Sequence, residues 1–236
     1  MKPDAATLEI DLRFDRPGGF RLDVQLSAPP GVTILFGPSG SGKSTTLAAV
    51  AGLITPSAGR VALGDDVWFD SARRVHRRVE ERGIAFVFQS LALFPHMTAL
   101  KNVEYGLPRS MPRDERRARA VAMLTRMKVS HLAERKPPTY SGGEAQRVAL
   151  ARAFAPSPRL VLLDEPFSAM DRRLRADFVA DVRAWVEEAR VPLVHVTHHR
   201  NEARALADRV AIFDGGRIHA VGSADDLLPA HDLDDA

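Results

Sequence analysis

A glycine-rich loop constrains this chain more than any other feature of its sequence. Residues 37–44 read Gly-Pro-Ser-Gly-Ser-Gly-Lys-Ser and match the pattern G-x-x-x-x-G-K-[ST] at each fixed position. The apolar run VTILF (32–36) precedes the loop and TTLAAVAGLI (45–54) follows it, so we expect a buried strand before the loop and a helix after it. Backbone N–H groups of such a loop surround a phosphate, and the helix N-terminus adds partial positive charge.

Two side chains of this loop carry specific expectations. Lys43 is predicted to neutralise the β- and γ-phosphates of a nucleotide, and the Ser44 hydroxyl is predicted to bind Mg²⁺. The candidate nucleotide-binding residues of the loop are Gly37, Pro38, Ser39, Gly40, Ser41, Gly42, Lys43, Ser44 and Thr45.

A second apolar run ends in two carboxylates. Residues 160–165 read Leu-Val-Leu-Leu-Asp-Glu, and a buried parallel strand delivers its last residue to the carboxyl edge of the sheet, where ligands bind. We expect Asp164 to hold Mg²⁺ through water and Glu165 to accept a proton from an attacking water. Without the phosphate loop, a solvated acidic turn would be the simpler interpretation of this pair.

Composition excludes several classes of protein. The 236 residues include 16 Gly, 16 Pro and no cysteine, which excludes collagen-like sequence, disulfide frameworks and thiolate metal sites. No apolar run approaches the ~18 residues of a membrane-spanning helix, and the N-terminus lacks the pattern of a secretory signal. The net charge is +3 with both signs mixed along the chain, which argues against a basic arm for nucleic acid. These features are typical of a soluble intracellular globular protein.

Hydrophobic patterning predicts an α/β protein with a parallel core and an antiparallel β part near the N-terminus. Residues 90–158 interrupt the alternation of strands and helices, and we expect a mostly helical insert there, with Val121, Leu124 and Met127 on one apolar helix face. Strands are predicted at 7–12, 20–26, 32–36, 60–70 (two), 84–88, 160–163, 193–197 and on both sides of Gly215–Gly216, and helices at 45–54, 113–128, 172–190 and 201–209.

A third motif carries a family resemblance. Residues 140–147 read Tyr-Ser-Gly-Gly-Glu-Ala-Gln-Arg, which resembles the signature LSGGQ-x-Q-R of the ATPase subunits of ABC transporters. Tyr140 stands where the family has Leu, and Glu144 stands where it has Gln. In the family this loop contacts the γ-phosphate that the opposite subunit holds, and the resemblance assigns that role to Ser141, Gly142, Gly143 and Glu144.

Smaller motifs follow in the family's order. Gln89 ends FVFQ and resembles the family's Q-loop glutamine, which contacts Mg²⁺, and residues 168–171 (SAMD) resemble the D-loop that ends in Asp171. Val-Thr-His-His (196–199) resembles the switch region, which makes His198 the γ-phosphate histidine and leaves His199 as a surface residue. The family stacks an aromatic ring on adenine near the N-terminus; Phe20 and Phe14 both qualify, and Phe20 is favoured because its strand leads directly to the phosphate loop.

The resemblance spans residues 7 to 228 and implies the fold of a P-loop NTPase. It implies one ABC ATPase domain over 1–236: a RecA-like nucleotide-binding core at 1–89 and 159–228 with a mostly parallel sheet, a helical signature subdomain at 90–158, and a frayed tail at 229–236. It also implies ATP and Mg²⁺ as ligands, with Ser44, Gln89 and Asp164 at the metal. A homodimer would hold two ATP molecules between its subunits, with Glu165 and His198 as the catalytic residues.

The resemblance is strongest to bacterial importer subunits, and within these to molybdate importers. It implies a permease that docks near residues 89–97, where Leu91, Leu93, Phe94 and Met97 are the exposed apolar candidates; for Leu91 and Leu93 the alternative is that they pack in the core of the helical insert. It also implies a periplasmic binding protein that acts indirectly, no nucleic acid, and a location on the inner face of the cell membrane. Such subunits usually continue into a C-terminal regulatory β domain; this sequence ends at residue 236, and a natural lack of that domain and a cut sequence are both open. Importers of ferric iron, sulfate, polyamines or sugars, non-transport ABC ATPases, and small-acceptor kinases are the alternatives.

Overall fold

The structure is a computed structural model that describes residues 6–15, 19–167 and 172–229. In these residues the strands are β1 (Leu8–Asp15), β2 (Arg21–Ala28), β3 (Gly31–Phe36), β4 (Ala58–Leu63), β5 (Asp66–Asp70), β6 (Val75–His76), β7 (Ile84–Val87), β8 (Leu160–Asp164), β9 (Pro192–Thr197), β10 (Arg209–Asp214) and β11 (Arg217–Gly222). The helices are α1 (Lys43–Ala51), α2 (Ala99–Gly106), α3 (Arg113–Arg126), α4 (Gly142–Phe154), α5 (Arg172–Ala189), α6 (Arg200–Leu206) and α7 (Ala224–Leu227).

Strands β7 to β11, together with β3, form a six-stranded sheet in the order β11-β10-β3-β9-β8-β7. All neighbours in it are parallel except the β10–β11 hairpin. β3 lies beside β9, and β9 lies beside β8, so that Phe36 pairs with Thr197 and Asp164 pairs with Val196. This order brings the carboxyl ends of β3, β8 and β9 to one edge, where ligands of such sheets bind.

Alternate residues of these strands enter two separate cores. Val161 and Leu163 of β8 pack with α2, α4 and α5, whereas Leu160 and Leu162 pack with α1 and the N-terminal strands. The sheet is therefore buried on both faces, which explains why its strands are continuous apolar runs rather than alternating ones. The α/β prediction and its parallel core are confirmed.

A second sheet is antiparallel and has the order β2-β1-β4-β5-β6. Its strands β1 and β2 show the predicted alternation of buried and exposed residues. The two-residue strand β6 was not predicted. This sheet packs over α1, the helix that follows the phosphate loop, through residues such as Leu12, Leu22 and Val61.

Arg82 is buried between this sheet and α1. Its guanidinium is 1% exposed, donates to the carbonyl oxygens of Val50 (2.6 Å) and Arg77 (3.0 Å), and lies over the ring of Trp68. Burial lowers the pKa of Arg82. Because Val50 belongs to the last turn of α1, the cation satisfies a helix carbonyl and offsets the negative end of the helix dipole.

The segment 90–158 contains α2, α3 and α4, together with short 3-10 turns at Ser130–Leu132 and Pro137–Thr139. Asn102 of α2 is buried and bonds the backbone of Phe94, Met97 and Thr98, which fixes the loop before the helix. The prediction for the apolar face of α3 was partly wrong. Leu124 and Met127 are buried, but Val121 is 41% exposed, and Ala120 takes the inward position because the helix packs closely on α2 and α4.

No helix in the described ranges is long and apolar enough to cross a membrane. Residues 168–171 and 230–236, which include the predicted D-loop and most of the predicted tail, lie outside the described residues.

We expect Arg82→Ala to lower the free energy of unfolding by about 2–4 kcal/mol, because it leaves buried carbonyl groups without a donor and opens a cavity beside Trp68. Chemical denaturation followed by tryptophan fluorescence measures the loss. Arg60→Ala is the matched control, since Arg60 is exposed on β4 of the same sheet. Equal losses in the two variants would contradict a structural role for the buried guanidinium.

Candidate nucleotide-binding site

The phosphate loop connects β3 to α1, as predicted. Gly42 has φ 108°, and a Cβ on it would lie 2.7 Å from the Leu22 side chain and 3.0 Å from the Phe20 ring. A Cβ on Gly37 would lie 2.0 Å from the carbonyl oxygen of Phe213. Glycine is therefore required at the first and third glycine positions of the loop by close packing and, at Gly42, also by its left-handed backbone.

Lys43 is held by the loop itself. Its Nζ donates to the carbonyl oxygens of Gly37 (2.8 Å) and Pro38 (2.7 Å) and to the Ser41 hydroxyl (3.3 Å), and the residue is 4% exposed. Burial lowers the pKa of Lys43, while the nearby carboxylates of Glu165 and Asp164 act in the opposite direction. The ammonium is thus a partly desolvated cation inside the loop, which strengthens its attraction to an anion.

Ser44 and Asp164 are neighbours although 120 residues separate them. The Ser44 hydroxyl donates to Oδ1 of Asp164 at 2.8 Å. Burial raises the pKa of Asp164, and the hydrogen bond from Ser44 opposes that shift. A cation placed between the two oxygens would remove the cost of the desolvated carboxylate.

Glu165 lies immediately after β8 in an unusual backbone conformation. Its φ is +45°, its N–H donates to the Val196 carbonyl at 3.1 Å, and its Oε1 lies 3.1 Å from Nδ1 of His198. A left-handed φ in a residue with a Cβ is strained and persists only where the surroundings impose it. The turn directs the Glu165 carboxylate toward His198 on the neighbouring strand end, so the two predicted catalytic residues are in contact.

A cleft of about 360 Å³ joins most of the predicted site. Phe20 stands at its side and also borders a second depression on the other face of the loop, which Gly19, Arg21 and Asp214 line. Phe14 borders neither of them. The residues that line the cleft are Phe20, Ser39, Gly40, Gly42, Lys43, Ser44, Thr45, Gln89, Asp164 and Glu165.

The cleft also contains oxygen donors suited to Mg²⁺. Ser44 and Asp164 are in contact, and Gln89 lines the same cleft. Within the described residues no three His, Cys, Asp or Glu side chains form a metal cluster. Mg²⁺ is commonly held by one or two protein oxygens, with water and substrate phosphates completing its octahedron, so these three residues fit that ion.

The signature residues lie apart from this cleft. Ser141 is the N-cap of α4, where its hydroxyl accepts from the Glu144 N–H. Gly142, which is exposed, and Gly143, which is half-buried, begin the first turn of the helix. Oε2 of Glu144 accepts from both the N–H and the hydroxyl of Ser141, each at 2.8 Å. Tyr140, the departure from the family pattern, packs partly against the core and donates to the Arg135 carbonyl at 2.7 Å.

Sequence reasoning missed a buried polar group beneath the switch histidines. His195 of β9 is fully buried and bonds Oε1 of Glu202, which is also buried. Burial alone would raise the pKa of Glu202, but the bonds from His195 and Thr197 and the charge of Arg175 lower it. Thr197 in turn accepts from the N–H of His199 at 3.1 Å. A histidine inside the apolar run LVHVT was the available signal.

The predicted docking segment is only partly exposed. Leu91 and Leu93 pack against the helical core, which was the open alternative for them. The Phe94 ring lies 4.5 Å from that of Tyr105 and beneath the guanidinium of Arg152, while Tyr105 is 56% exposed.

Two further predicted residues lie elsewhere. His199, which we expected at the surface, is half-buried, and burial lowers its pKa. Asp171 lies outside the described residues.

Comparison with known proteins gives consistent results. A family profile described as ABC transporter matches residues 22–168, more than half of the chain. Molybdenum import ATP-binding protein ModC from Albidiferax ferrireducens is 40% identical over 231 residues, which are 98% of this chain and 62% of that protein. The chain therefore spans about three fifths of the length of this relative.

Two solved structures are similar in fold. cbiO1 from Clostridium perfringens, part of the ABC transporter complex cbiONQ, has a TM-score of 0.85 at 23% identity. The superposition covers 98% of this chain and 93% of cbiO1. A dimeric ATP-binding cassette in a post-hydrolysis state, bound to ADP and Pi, has a TM-score of 0.76 at 30% identity over 92% of this chain and 98% of that one. The chain belongs to the ABC transporter family, and its fold is that of the family's ATP-binding cassettes.

Proposed function

We propose that this chain binds and hydrolyses ATP as the energy-supplying subunit of an importer whose permease is a separate protein. The observation that carries the proposal is the convergence of Lys43, Ser44, Asp164 and Glu165 around one cleft, with His198 in contact with Glu165. These residues come from three strand ends that the sheet order makes adjacent. They supply the cation, the metal ligands, the base and the hydrogen-bond partner that phosphoryl transfer to water needs.

Nucleotide binding exchanges contacts within the loop. Lys43, which now donates to its own loop carbonyls, turns its protons to the β- and γ-phosphate oxygens, and the loop N–H groups take the remaining oxygens. The half-buried Phe20 ring packs against adenine. Ser44, Gln89 and Asp164 hold Mg²⁺, which when bound neutralises phosphate charge.

Glu165 and His198 are the proposed catalytic pair. Glu165 orients a water and accepts its proton, and His198 donates a hydrogen bond to the γ-phosphate. The contact of 3.1 Å between them keeps both side chains at the same strand edge before the nucleotide arrives. Catalysis then depends mainly on positioning and on charge compensation.

A second copy of the chain would complete each site. Ser141, Gly142, Gly143 and Glu144 form a helix start, exposed at Ser141 and Gly142, that does not line the cleft, so it is available to a nucleotide bound by another subunit. The dimeric arrangement of the ADP- and Pi-bound cassette supports a homodimer with two sandwiched nucleotides.

The proposed cargo is molybdate. The support is the name of a relative that is 40% identical over nearly all of this chain, together with the importer-like sequence of residues 86–107. The permease would dock beside Gln89, where Phe88 (39% exposed) and Tyr105 offer apolar surface, and the subunit would work at the inner face of the membrane. A periplasmic binding protein would deliver the anion, and nucleic acid has no part.

Glu165→Gln is expected to retain ATP binding and to hydrolyse ATP at least ~100-fold more slowly, because the amide accepts no proton. Phosphate release and nucleotide titration measure the two properties separately. Glu80→Gln, an exposed residue of the antiparallel part, is the control and should be unchanged. Turnover near the normal rate in Glu165→Gln would exclude this carboxylate as the base.

Phe20→Ala is expected to weaken ATP binding about 10-fold, since aromatic stacking on a base contributes roughly 1–3 kcal/mol. Phe14→Ala is a matched control because Phe14 is also half-buried and packs against the same core. Fluorescence titration with a nucleotide analogue compares the two variants. If Phe14→Ala weakened binding and Phe20→Ala did not, the assignment of the stacking ring would be reversed.

The transport proposal is tested in the native cell. Deletion of the gene should abolish high-affinity molybdate accumulation, measured by elemental analysis, and the wild-type chain should restore it whereas Glu165→Gln should not. The purified membrane complex should contain a multi-span permease without its own ATPase domain. Normal molybdate uptake in the deletion strain, together with a defect in the uptake of sulfate, iron or sugar, would overturn molybdate as the cargo. Purification of the protein together with ribosomes or DNA would overturn a role in transport.

A further inference from the structure

The donors at the start of α4 are already engaged within the chain. Both the N–H and the hydroxyl of Ser141 donate to Oε2 of Glu144. The Glu144 N–H donates back to the Ser141 hydroxyl at 3.3 Å, which completes a capping box. Any anion that approaches this helix start must therefore share Ser141 with a carboxylate that belongs to the helix itself.

That carboxylate is charged. Hydrogen bonds from the Ser141 backbone, from His131 and from the Ser141 hydroxyl lower the pKa of Glu144 to about 2. A glutamine at this position would offer the same oxygen to Ser141 without a charge. A triphosphate presented by a second subunit, as in the function proposed above, would meet a full negative charge beside the donors it needs, and like charges repel strongly where water is excluded.

His131 is the group that contacts the other oxygen of Glu144. Its Nε2 lies 3.0 Å from Oε1, on the side of the carboxylate that Ser141 does not occupy. His131 lies in the Ser130–Leu132 turn, which the fully buried Leu132 anchors in the helical core. The imidazole is therefore presented from a fixed point of the core to the carboxylate oxygen that Ser141 leaves free.

We propose that His131 is a positioning residue for the signature loop, which holds the Glu144 carboxylate by its Oε1 and draws it back so that Ser141 and the first turn of α4 accept a nucleotide held by a second copy of this chain. The inference rests on the proposed function, because it requires that ATP joins two copies. It assigns His131 no contact with the nucleotide. It explains how a carboxylate at residue 144 is compatible with an anion-binding helix start.

A double-mutant cycle tests this proposal. The four proteins are full chains with Glu165→Gln, which should trap the ATP-bound dimer: this variant alone, with His131→Ala, with Glu144→Gln, and with both. The ATP concentration that gives half-maximal dimer is measured by light scattering after size-exclusion chromatography. His76→Ala, an exposed histidine on β6 of the antiparallel sheet, is the matched control, and the melting temperature of each protein is recorded.

His131→Ala should raise the half-maximal ATP concentration at least about three-fold, because at both sites of the dimer the Glu144 carboxylate loses the contact that holds it away from the nucleotide. In the Glu144→Gln background, His131→Ala should change the half-maximal ATP concentration by less than about 1.5-fold, because residue 144 then carries no negative charge that must be held away from the nucleotide. ATP affinity of the monomer and the melting temperature should stay unchanged, which a merely structural role would not predict.

Three results would overturn the inference. An unchanged half-maximal concentration in His131→Ala would show that the pair has no influence on dimerisation. An equal loss with and without Glu144→Gln would show that His131 acts independently of the carboxylate. Absence of an ATP-dependent dimer in Glu165→Gln alone, with ATP still bound, would overturn the proposed function first, and this inference with it.

Discussion

The hydrogen bond between Ser44 and Asp164 is the contact on which the rest of the site depends. It joins the first turn of α1 to the end of β8 at 2.8 Å. It exists only because β9 lies between β3 and β8 in a parallel register that brings both strand ends to the same edge. Displacement of either strand by two residues would move the oxygens about 7 Å apart along the strand and separate the proposed metal ligands.

The charged groups of the cleft are poorly solvated. Lys43 is almost fully buried, burial raises the pKa of Asp164, and Glu165 lies beside both. The loop carbonyls that now bond Lys43 are weaker partners than a phosphate. Nucleotide binding therefore replaces neutral contacts with charged ones at a site whose geometry is already set, which is the condition for effective electrostatic stabilisation.

Three groups hold this geometry from outside the cleft. Arg82 connects the end of α1 to the antiparallel sheet, and the His195–Glu202 pair lies beneath the turn that carries His198. His131 plays the corresponding part for the signature loop. Arg82, His195 and Glu202 are buried polar groups that the packing forces into a single arrangement, because a buried donor without its partner is costly.

The sequence was sufficient for the local motifs and the class of fold. The phosphate loop, the acidic end of β8 and the capping start of α4 each depend on residues within about ten positions of one another, and periodicity gave the apolar strands. Bounds of helices were less certain, and the inward face of α3 was wrongly predicted at Val121, because its orientation depends on α2 and α4 rather than on its own residues.

Only the tertiary structure decided which distant residues meet. The contacts of Ser44 with Asp164, Glu165 with His198, and His131 with Glu144 follow from the order of strands and the packing of turns. Arg82 is one of many arginines in the sequence, and nothing in its neighbours along the chain indicates that it is buried. Pattern along a chain reports on the face a residue occupies, whereas its partners are set by long-range packing, so the sequence determined the chemistry and the fold determined its geometry.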